Sequence, residues 1–174
     1  MKGSRLLLAL LAALLLFGGA LSYRFMTRAE FVKAFRAALR RVNLLGFDPD
    51  KIAAVAAHES GFGSNRFTKE GYNVFGITAG KNWKGPTITS GAKDPSGAPY
   101  VFRKYGSLDE AIKDFINLLI NWPSKYAAAT SAARFGTIEQ FAIALQRAGY
   151  GDPKDPDYAA KVVNNFNAFK KLEA

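Results

Sequence analysis

The stretch AAVAAHESGFGSN, residues 53–65, places a glutamate near the end of an alanine-rich segment that then becomes rich in glycine. Alanine and valine favour a helix packed into an apolar interior. Ile52, Val55 and Ala56 recur at helical spacing, and Glu59 lies seven positions after Ile52. The glutamate therefore continues the apolar stripe, and Gly61 marks the end of the helix. This pattern predicts a carboxyl group on the inward face of a helix, in its last turn.

Such a position favours the protonated form of Glu59. Poor hydration of a buried carboxylate raises its pKa, and the negative end of the helix dipole acts in the same direction. A carboxyl group that keeps its proton near neutral pH can serve as a general acid. We expect Gly61 and Gly63 to leave room for a bulky substrate beside it. Periodicity alone leaves two alternatives open: Glu59 forms a salt bridge with an arginine, or it frays outward into solvent.

The composition narrows the classes of site and partner. The chain has 174 residues, enough for one domain with an appendage. With no cysteine and a single histidine, His58, disulfides, thiolate sites and multi-histidine metal centres are excluded. We predict no metal and no cofactor. The net charge of +10 favours an anionic partner or simple solubility. No nucleic-acid reader motif accompanies the basic residues, so nucleic acid is not predicted as a partner.

The N-terminus predicts export. Lys2 and Arg5 precede an uncharged apolar run from Leu6 to Tyr23. The run is long for a signal peptide and close to the lower limit for a membrane-spanning helix. We predict that residues 1–23 form a hydrophobic helix acting as a signal anchor or a cleaved signal peptide. The length of the run favours the anchor, with the rest of the chain facing the periplasm or cell wall.

The remaining residues, 24–174, predict an α+β domain. Capping pairs mark helix starts at Thr27, Ser107 and Thr137, and Asp48 followed by Pro49 marks another. A further amphipathic helix follows Asp157. Residues 61–97 show no helical period, and the turn sequence KDPSG between β-prone segments predicts a hairpin. The predicted architecture is a helical body with a small β-hairpin lobe, and the cleft between them is the natural ligand site.

Five blocks of sequence carry a family resemblance: AAHESGFGSN, YNVFGITAGKNWKGP, FRKYGSLDEAIKDFINLL, KYAAA and FAIALQRAGYGDPKDPDYAAKV. In this order they resemble the bacterial glucosaminidases of glycoside hydrolase family 73. That family includes autolysins, flagellar rod-associated wall hydrolases and phage lysins. The resemblance implies a lysozyme-like fold and cleavage of the β-1,4 bond on the reducing side of N-acetylglucosamine in peptidoglycan glycan strands.

The resemblance also implies roles for individual residues. Glu59 matches the general acid, and Tyr150 matches the tyrosine that flanks it. The residues matched to substrate binding are Asn73, Phe75 and Gly76 in the N-x-F-G-I block, Trp83 with Gly85 in the N-W-x-G block, and Tyr158 after D-P. Because GYGDPKDPDY is two residues longer than the usual spacing, either Asp152-Pro153 or Asp155-Pro156 is the equivalent pair.

The second catalytic group departs from the family pattern. Family members commonly carry a glutamate in the hairpin, whereas residues 87–97 read TITSGAKDPSG, and Asp94 is the carboxylate available there. Glycosidases usually need an acid and a second group opposite it. Three options stay open: Asp94 activates water, the N-acetyl group of the substrate assists, or the enzyme is weak.

Two other functions stay open beside hydrolysis. Lytic transglycosylases also carry Glu-Ser at a helix end and work with one acid. A glycan-binding or structural module of a virion or secretion apparatus would need no second group. The sequence does not choose between a bacterial wall enzyme and part of a phage particle.

Overall fold

The computed structural model describes residues 27–94, 96–151 and 155–173. Within these ranges the chain forms seven helices and one two-stranded sheet. In chain order they are α1 (Arg28–Arg41), α2 (Pro49–Ser60), α3 (Arg66–Gly71), β1 (Thr87–Lys93), β2 (Pro99–Arg103), α4 (Leu108–Asn121), α5 (Pro123–Phe135), α6 (Ile138–Arg147) and α7 (Tyr158–Lys171). The predicted α+β architecture, a helical body with a small hairpin lobe, is confirmed.

Helix α2 lies at the centre of the body. Every residue from Lys51 to Ala57 is buried, so the helix is enclosed on all sides rather than along one stripe. It packs mainly against α7 and also contacts α1. The alanines explain this position, because their small side chains let neighbouring helices approach closely without leaving voids.

Two of the predicted capping boxes form completely. Thr27 and Glu30 exchange side-chain to backbone hydrogen bonds at the start of α1, and Thr137 and Gln140 do the same at α6. Asp48 caps α2 by accepting a hydrogen bond from a backbone N–H of the first turn at 2.8 Å. These starts are fixed by contacts within four residues, which is why they can be predicted from sequence.

The start of α4 differs from the predicted capping box. Ser107 accepts the expected hydrogen bond from the Glu110 N–H at 3.2 Å. The Glu110 carboxylate, however, accepts from the Gly106 N–H at 2.9 Å, one residue before the cap. Half of the predicted box is therefore present, and the glutamate satisfies a neighbouring donor.

Two helices were not predicted. The short helix α3 lies inside residues 61–97, so the expectation that this region lacks helix is wrong. Helix α5 joins α4 with only Trp122 between them, and no side chain caps its first turn. Alanine and serine dominate its sequence, and they give no apolar period to detect.

The hairpin lobe is an antiparallel pair with an irregular register. Thr89 pairs with Val101, and the next pair is Lys93 with Pro99. Three residues of β1 therefore face one residue of β2, which forms a bulge and increases the local twist. A two-stranded hairpin is marginally stable by itself, so contacts with the body must hold this lobe in place.

The predicted hydrophobic helix within residues 1–23 lies outside the residues that the structure describes. Within the described ranges, no helix combines the length and apolar character needed to cross a membrane.

Candidate active site

Glu59 lies in the last turn of α2, one residue before the helix ends. Gly61 adopts a left-handed conformation with φ of 57° and closes the helix. The Ser60 hydroxyl donates to the Ala56 carbonyl at 2.6 Å and accepts from the Gly63 N–H at 2.8 Å. These contacts fix the helix end, and with it the backbone from which the glutamate projects.

The glycines after Glu59 make room for the protein itself rather than for a substrate. A Cβ at Gly63, which has φ of +77°, would lie 2.7 Å from the ring of Phe31. A Cβ at Gly61 would lie 2.8 Å from the hydroxyl of Ser64. The surroundings of these two glycines therefore do not support the expectation that they open space beside the carboxyl.

Gly76 provides the close approach to Glu59. Its φ is +63°, and a Cβ built there would lie 3.2 Å from Glu59 Oε2. The backbone at residue 76 therefore lies directly against the carboxyl group. A side chain at this position would be strained by the backbone and would crowd the acid.

The Glu59 carboxyl is held in a poorly hydrated environment. Its Oε1 atom is buried and has no hydrogen-bond partner among the described residues. Burial raises the pKa of Glu59 from its ordinary value of 4.5 to about 7, and the neighbouring Tyr158 hydroxyl acts in the opposite direction. The predicted proton donor thus has a pKa close to neutral, and burial is the main cause.

Tyr158 is the first residue of α7 and lies beside Glu59. Its ring is buried, meets the His58 ring edge-on at 5.1 Å, and occupies the place where a Cβ at Gly151 would lie, 2.5 Å away. Its hydroxyl is buried and lacks a partner of hydrogen-bond geometry in the described chain. The hydroxyl is nevertheless close enough to lower the pKa of Glu59.

Tyr150 and Phe75 support the loop that contains Gly76. The Tyr150 hydroxyl donates to the Phe75 carbonyl at 2.6 Å, and burial together with the nearby Glu59 charge raises the pKa of Tyr150. The Phe75 ring stacks on Phe115 with centroids 4.2 Å apart. Both aromatic side chains are therefore packed in the body, and they act on the site through the backbone.

Asn73 closes the same loop. Its buried amide donates to the carbonyls of Ile77 at 2.9 Å and Arg103 at 2.8 Å, and its oxygen accepts from the Ile77 N–H at 3.0 Å. Asn73 was predicted to line the cleft. Instead, its polar atoms join the loop to itself and to the last residue of β2.

Trp83 lies at the base of the hairpin lobe. The half-buried indole donates to the Pro86 carbonyl at 2.9 Å, and the Arg103 guanidinium lies over its ring at 4.8 Å from the centroid. A Cβ at Gly85 would lie 2.4 Å from the indole, so the glycine of the N-W-x-G block is required by the tryptophan.

Asp94 lies in the turn of the hairpin. Its Oδ1 atom accepts from the Ser96 N–H at 2.8 Å, the Ser96 hydroxyl at 2.6 Å and the Ala98 N–H at 3.0 Å. These bonds, led by the Ser96 hydroxyl, lower the pKa of Asp94. The carboxylate therefore organises its own turn, while Glu59, Gly76, Tyr150 and Tyr158 come together in the body.

No role was predicted for Asn65, which contacts the backbone of Glu59. Its amide donates to the Glu59 carbonyl at 3.0 Å, and its oxygen caps α3 by accepting from the Thr68 N–H at 2.8 Å. An asparagine preceding a short helical segment is a recognisable capping signal. Among the described residues, no three metal-ligating side chains form a cluster.

A protonatable carboxyl at the end of a buried helix, in a helical body that carries a β-hairpin lobe, is compatible with a glycoside hydrolase. The chain belongs to the glucosaminidase family. The family profile, described as mannosyl-glycoprotein endo-beta-N-acetylglucosaminidase, matches residues 34–171.

Known relatives and solved structures agree with this assignment. The peptidoglycan hydrolase FlgJ of Salmonella typhimurium is 42% identical over 130 residues, covering 70% of this chain and 39% of that protein. FlgJ of Escherichia coli K12 is also 42% identical over 130 residues, which cover 40% of its length. The chain thus spans about two fifths of the length of these curated relatives.

Two solved structures share the fold over most of both chains. The glycoside hydrolase domain of Salmonella typhimurium FlgJ is 35% identical with a TM-score of 0.61, covering 85% of this chain and 91% of that chain. A peptidoglycan hydrolase from Sphingomonas sp. A1 is 32% identical with a TM-score of 0.66, covering 83% and 92%.

Proposed function

We propose that this chain is a peptidoglycan hydrolase, an endo-β-N-acetylglucosaminidase that cleaves β-1,4 bonds of cell-wall glycan strands with Glu59 as general acid. The observation that carries the proposal is the buried Glu59 carboxyl, whose Oε1 has no partner in the described ranges and whose Oε2 lies against Gly76. This burial raises the pKa of Glu59 to about 7. The family description and the names of the FlgJ relatives support the substrate and the bond.

Glu59 protonates the glycosidic oxygen as the bond to the leaving sugar breaks. A pKa near the working pH suits this step, because the acid is substantially protonated yet able to release its proton. Burial keeps the proton on Glu59 before the substrate arrives. The Tyr158 hydroxyl then stabilises the carboxylate that forms, by the contact that already lowers its pKa.

The other predicted residues divide into two groups in this proposal. Gly76 and Trp83 contact the sugars directly, the first through its backbone and the second by stacking. Asn73, Phe75 and Tyr150 act indirectly, by holding the loop that brings residue 76 against the acid. This division is supported by their burial and by the hydrogen bonds of Asn73 and Tyr150 to backbone groups.

Asp94 is the candidate second group, and its turn-forming role provides a clean test. Asp94→Asn keeps an oxygen that can accept the three hydrogen bonds of the turn but removes the charge. If Asp94 is the base, kcat falls at least about 100-fold, the usual range for acid–base groups. If activity is retained, Asp94 is not the second group, and assistance by the N-acetyl group of the substrate is the option that this result favours.

Muropeptide analysis tests the proposed reaction. Purified cell walls are digested with the full-length chain and with Glu59→Gln, and the released fragments are identified by mass spectrometry. The proposal predicts fragments with reducing N-acetylglucosamine ends from the wild type and none from the variant. Anhydro-muramic ends would instead identify a transglycosylase, and sugar binding without any product would identify a binding module.

Export and anchoring complete the proposal. Lys2, Arg5 and the apolar run of residues 6–23 support delivery to the periplasmic or wall side of the membrane. Retention of this run as an anchor would confine cleavage to wall close to the membrane. Sequencing the N-terminus of the protein from membrane fractions distinguishes an anchor from a cleaved signal.

A further inference from the structure

We propose that Arg103 is a positioning residue of the active site, which holds the Trp83 indole at a fixed place relative to Glu59, and that Asp114 holds Arg103. This inference rests on the proposed function, in which Trp83 stacks on a sugar. It adds two residues outside the predicted site and gives each of them a role.

The Arg103 side chain joins three parts of the molecule. Its Nη1 atom donates to both oxygens of Asp114 on α4, at 2.9 and 2.7 Å. Its Nε atom donates to the Thr78 carbonyl at 3.2 Å, and its guanidinium covers the Trp83 ring at 4.8 Å. The planar guanidinium can make all these contacts at once, which lysine cannot do.

Tyr105 completes the cluster. Its hydroxyl donates to Asp114 Oδ2 at 2.7 Å, and its ring meets the Trp83 indole nearly perpendicularly at 5.8 Å. The indole therefore contacts two side chains that are both bonded to Asp114. Because α4 is part of the helical body, this carboxylate is the point at which the Trp83 segment is attached to the body.

The backbone of Arg103 is attached to the loop beside Glu59. The Asn73 amide donates to the Arg103 carbonyl at 2.8 Å, and the same amide closes the loop that presses Gly76 against the acid. Residue 103 is thus connected through its carbonyl to the loop beside the acid and through its side chain to Trp83. Arg103 therefore links the loop beside the proposed acid, Glu59, to Trp83, which we propose stacks on a sugar.

The chain contains a matched ion pair that lacks these connections. Arg41 binds both oxygens of Asp109 at 2.8 and 2.6 Å, and Asp109 also lies on α4. The Arg41 side chain is 58% exposed, whereas the Arg103 and Asp114 side chains are 19% and 22% exposed. Arg41 is therefore a control for loss of an arginine–aspartate pair on the same helix.

Kinetics on soluble glycan-strand fragments test the positioning role. Arg103→Met, Asp114→Asn, their double variant and Arg41→Met are compared with wild type as full-length proteins. The KM of Arg103→Met is expected to rise about tenfold, equivalent to about 1.4 kcal/mol, with kcat within about twofold. The double variant should be no worse than the worse single variant, and Arg41→Met should match wild type.

A second readout reports on Trp83 without requiring activity. In a Trp122→Phe background the emission comes from Trp83 alone, since the chain has two tryptophans. Acrylamide quenching should increase about twofold in Arg103→Met and Asp114→Asn, because loss of the stacked guanidinium frees the ring. Arg41→Met should leave quenching unchanged.

Unchanged quenching in a folded Arg103 or Asp114 variant would overturn the proposal, as would equal rises in KM for Arg103→Met and Arg41→Met. If Arg103→Met does not fold, Asp114→Asn provides the test. This variant keeps one oxygen that can accept from Arg103 or Tyr105, so it is expected to disturb the fold less. If wild type releases no product, the proposed function fails, while the quenching comparison still decides whether Arg103 holds Trp83.

Discussion

The proposed mechanism depends on one carboxyl group that has few stabilising partners. Many buried acids are kept ionised by arginines or backbone donors, which lower their pKa. Glu59 instead has a buried oxygen without a partner in the described chain and one nearby hydroxyl. Its surroundings therefore favour the proton until a substrate oxygen can accept it.

The Tyr158 hydroxyl opposes the rise in the pKa of Glu59 that burial causes. Its contact lowers the pKa of Glu59, so Tyr158→Phe should raise that pKa further. The alkaline limb of kcat/KM against pH should then move to higher pH, while kcat itself falls because the carboxylate formed in the reaction loses its donor. A limb that stays in place or moves to lower pH would refute this role for Tyr158.

Gly76 can be tested against a glycine with similar backbone geometry. Gly76 and Gly46 both have positive φ, +63° and +82°, but a Cβ at Gly46 meets nothing within 4 Å. Each change to alanine should cost about 1 kcal/mol of unfolding free energy, because alanine disfavours this conformation.

Only Gly76→Ala should also lower kcat, by about tenfold or more, since its methyl group displaces the carboxyl that we propose as the general acid. Urea denaturation and initial rates on soluble glycan fragments measure the two effects separately. Equal activity in Gly76→Ala and Gly46→Ala would contradict the proposed contact between residue 76 and the acid.

Residue roles could be predicted from sequence where the decisive contacts are local. The inward direction of Glu59 could be predicted from its spacing on one helix, whereas the groups beside its carboxyl, Gly76 and Tyr158, are 17 and 99 positions away. Tyr150 and Asn73 contact backbone groups 75 and 30 positions away, so spacing carried no information about what they bind. The family resemblance predicted that both residues belong to the site, but only the fold shows which backbone groups they contact.

At the scale of elements, α5 shows how a helix without clear sequence signals is held in place. No side chain caps its first turn, whereas its last turn is bound by Lys51 of α2. The Lys51 ammonium donates to the carbonyls of Ala132 at 3.1 Å and Gly136 at 2.5 Å. A cation at this end complements the helix dipole and gives the Gly136 carbonyl a donor, whereas the Ala132 carbonyl also accepts from the Gly136 N–H.

Lys51→Met should therefore lower the free energy of unfolding by about 2 kcal/mol, because it removes the cation from the helix end and leaves the part-buried Gly136 carbonyl without its donor. The exposed Lys33 on α1 supplies the control, and Lys33→Met should change stability by less than about 0.5 kcal/mol. Denaturation curves give both values. Similar stabilities for the two variants would show that Lys51 does not hold α5.

Helix α5, which was not predicted, differs in one physical respect from three helices that were predicted. Helices α1, α2 and α6 carry capping residues within their own first turns, so their starts are encoded locally. Helix α5 depends on Lys51, which is 81 residues before its Ala132 partner. A helix stabilised mainly by tertiary contacts leaves little local pattern to read.

The whole molecule buries the Glu59 carboxyl in its helical body, and this burial has a cost in stability once the group ionises. The folded state raises the pKa of Glu59 from 4.5 to about 7. Between these values the folded chain binds more protons at this group than the unfolded chain. Its contribution to stability is therefore full below about pH 4.5 and is lost as pH rises through about 7.

Glu59→Gln should remove this dependence. Compared with wild type, the variant should gain about 2–3 kcal/mol of unfolding free energy between pH 5 and pH 8. Other carboxylates whose pKa values are lowered, such as Asp50 and Asp155, contribute the opposite slope in both proteins and cancel in the difference. Urea denaturation at the two pH values provides the comparison, and a difference that does not change with pH would argue against a buried proton at Glu59.

The most direct test of the central claim is a titration of the Glu59 carboxyl by carbon-detected NMR, with Glu59→Gln used to assign the resonance. A midpoint near pH 7 in the folded protein is the predicted result. A midpoint near 4.5, the ordinary value for glutamate, would show that Glu59 is ionised at working pH and cannot be the resident proton donor.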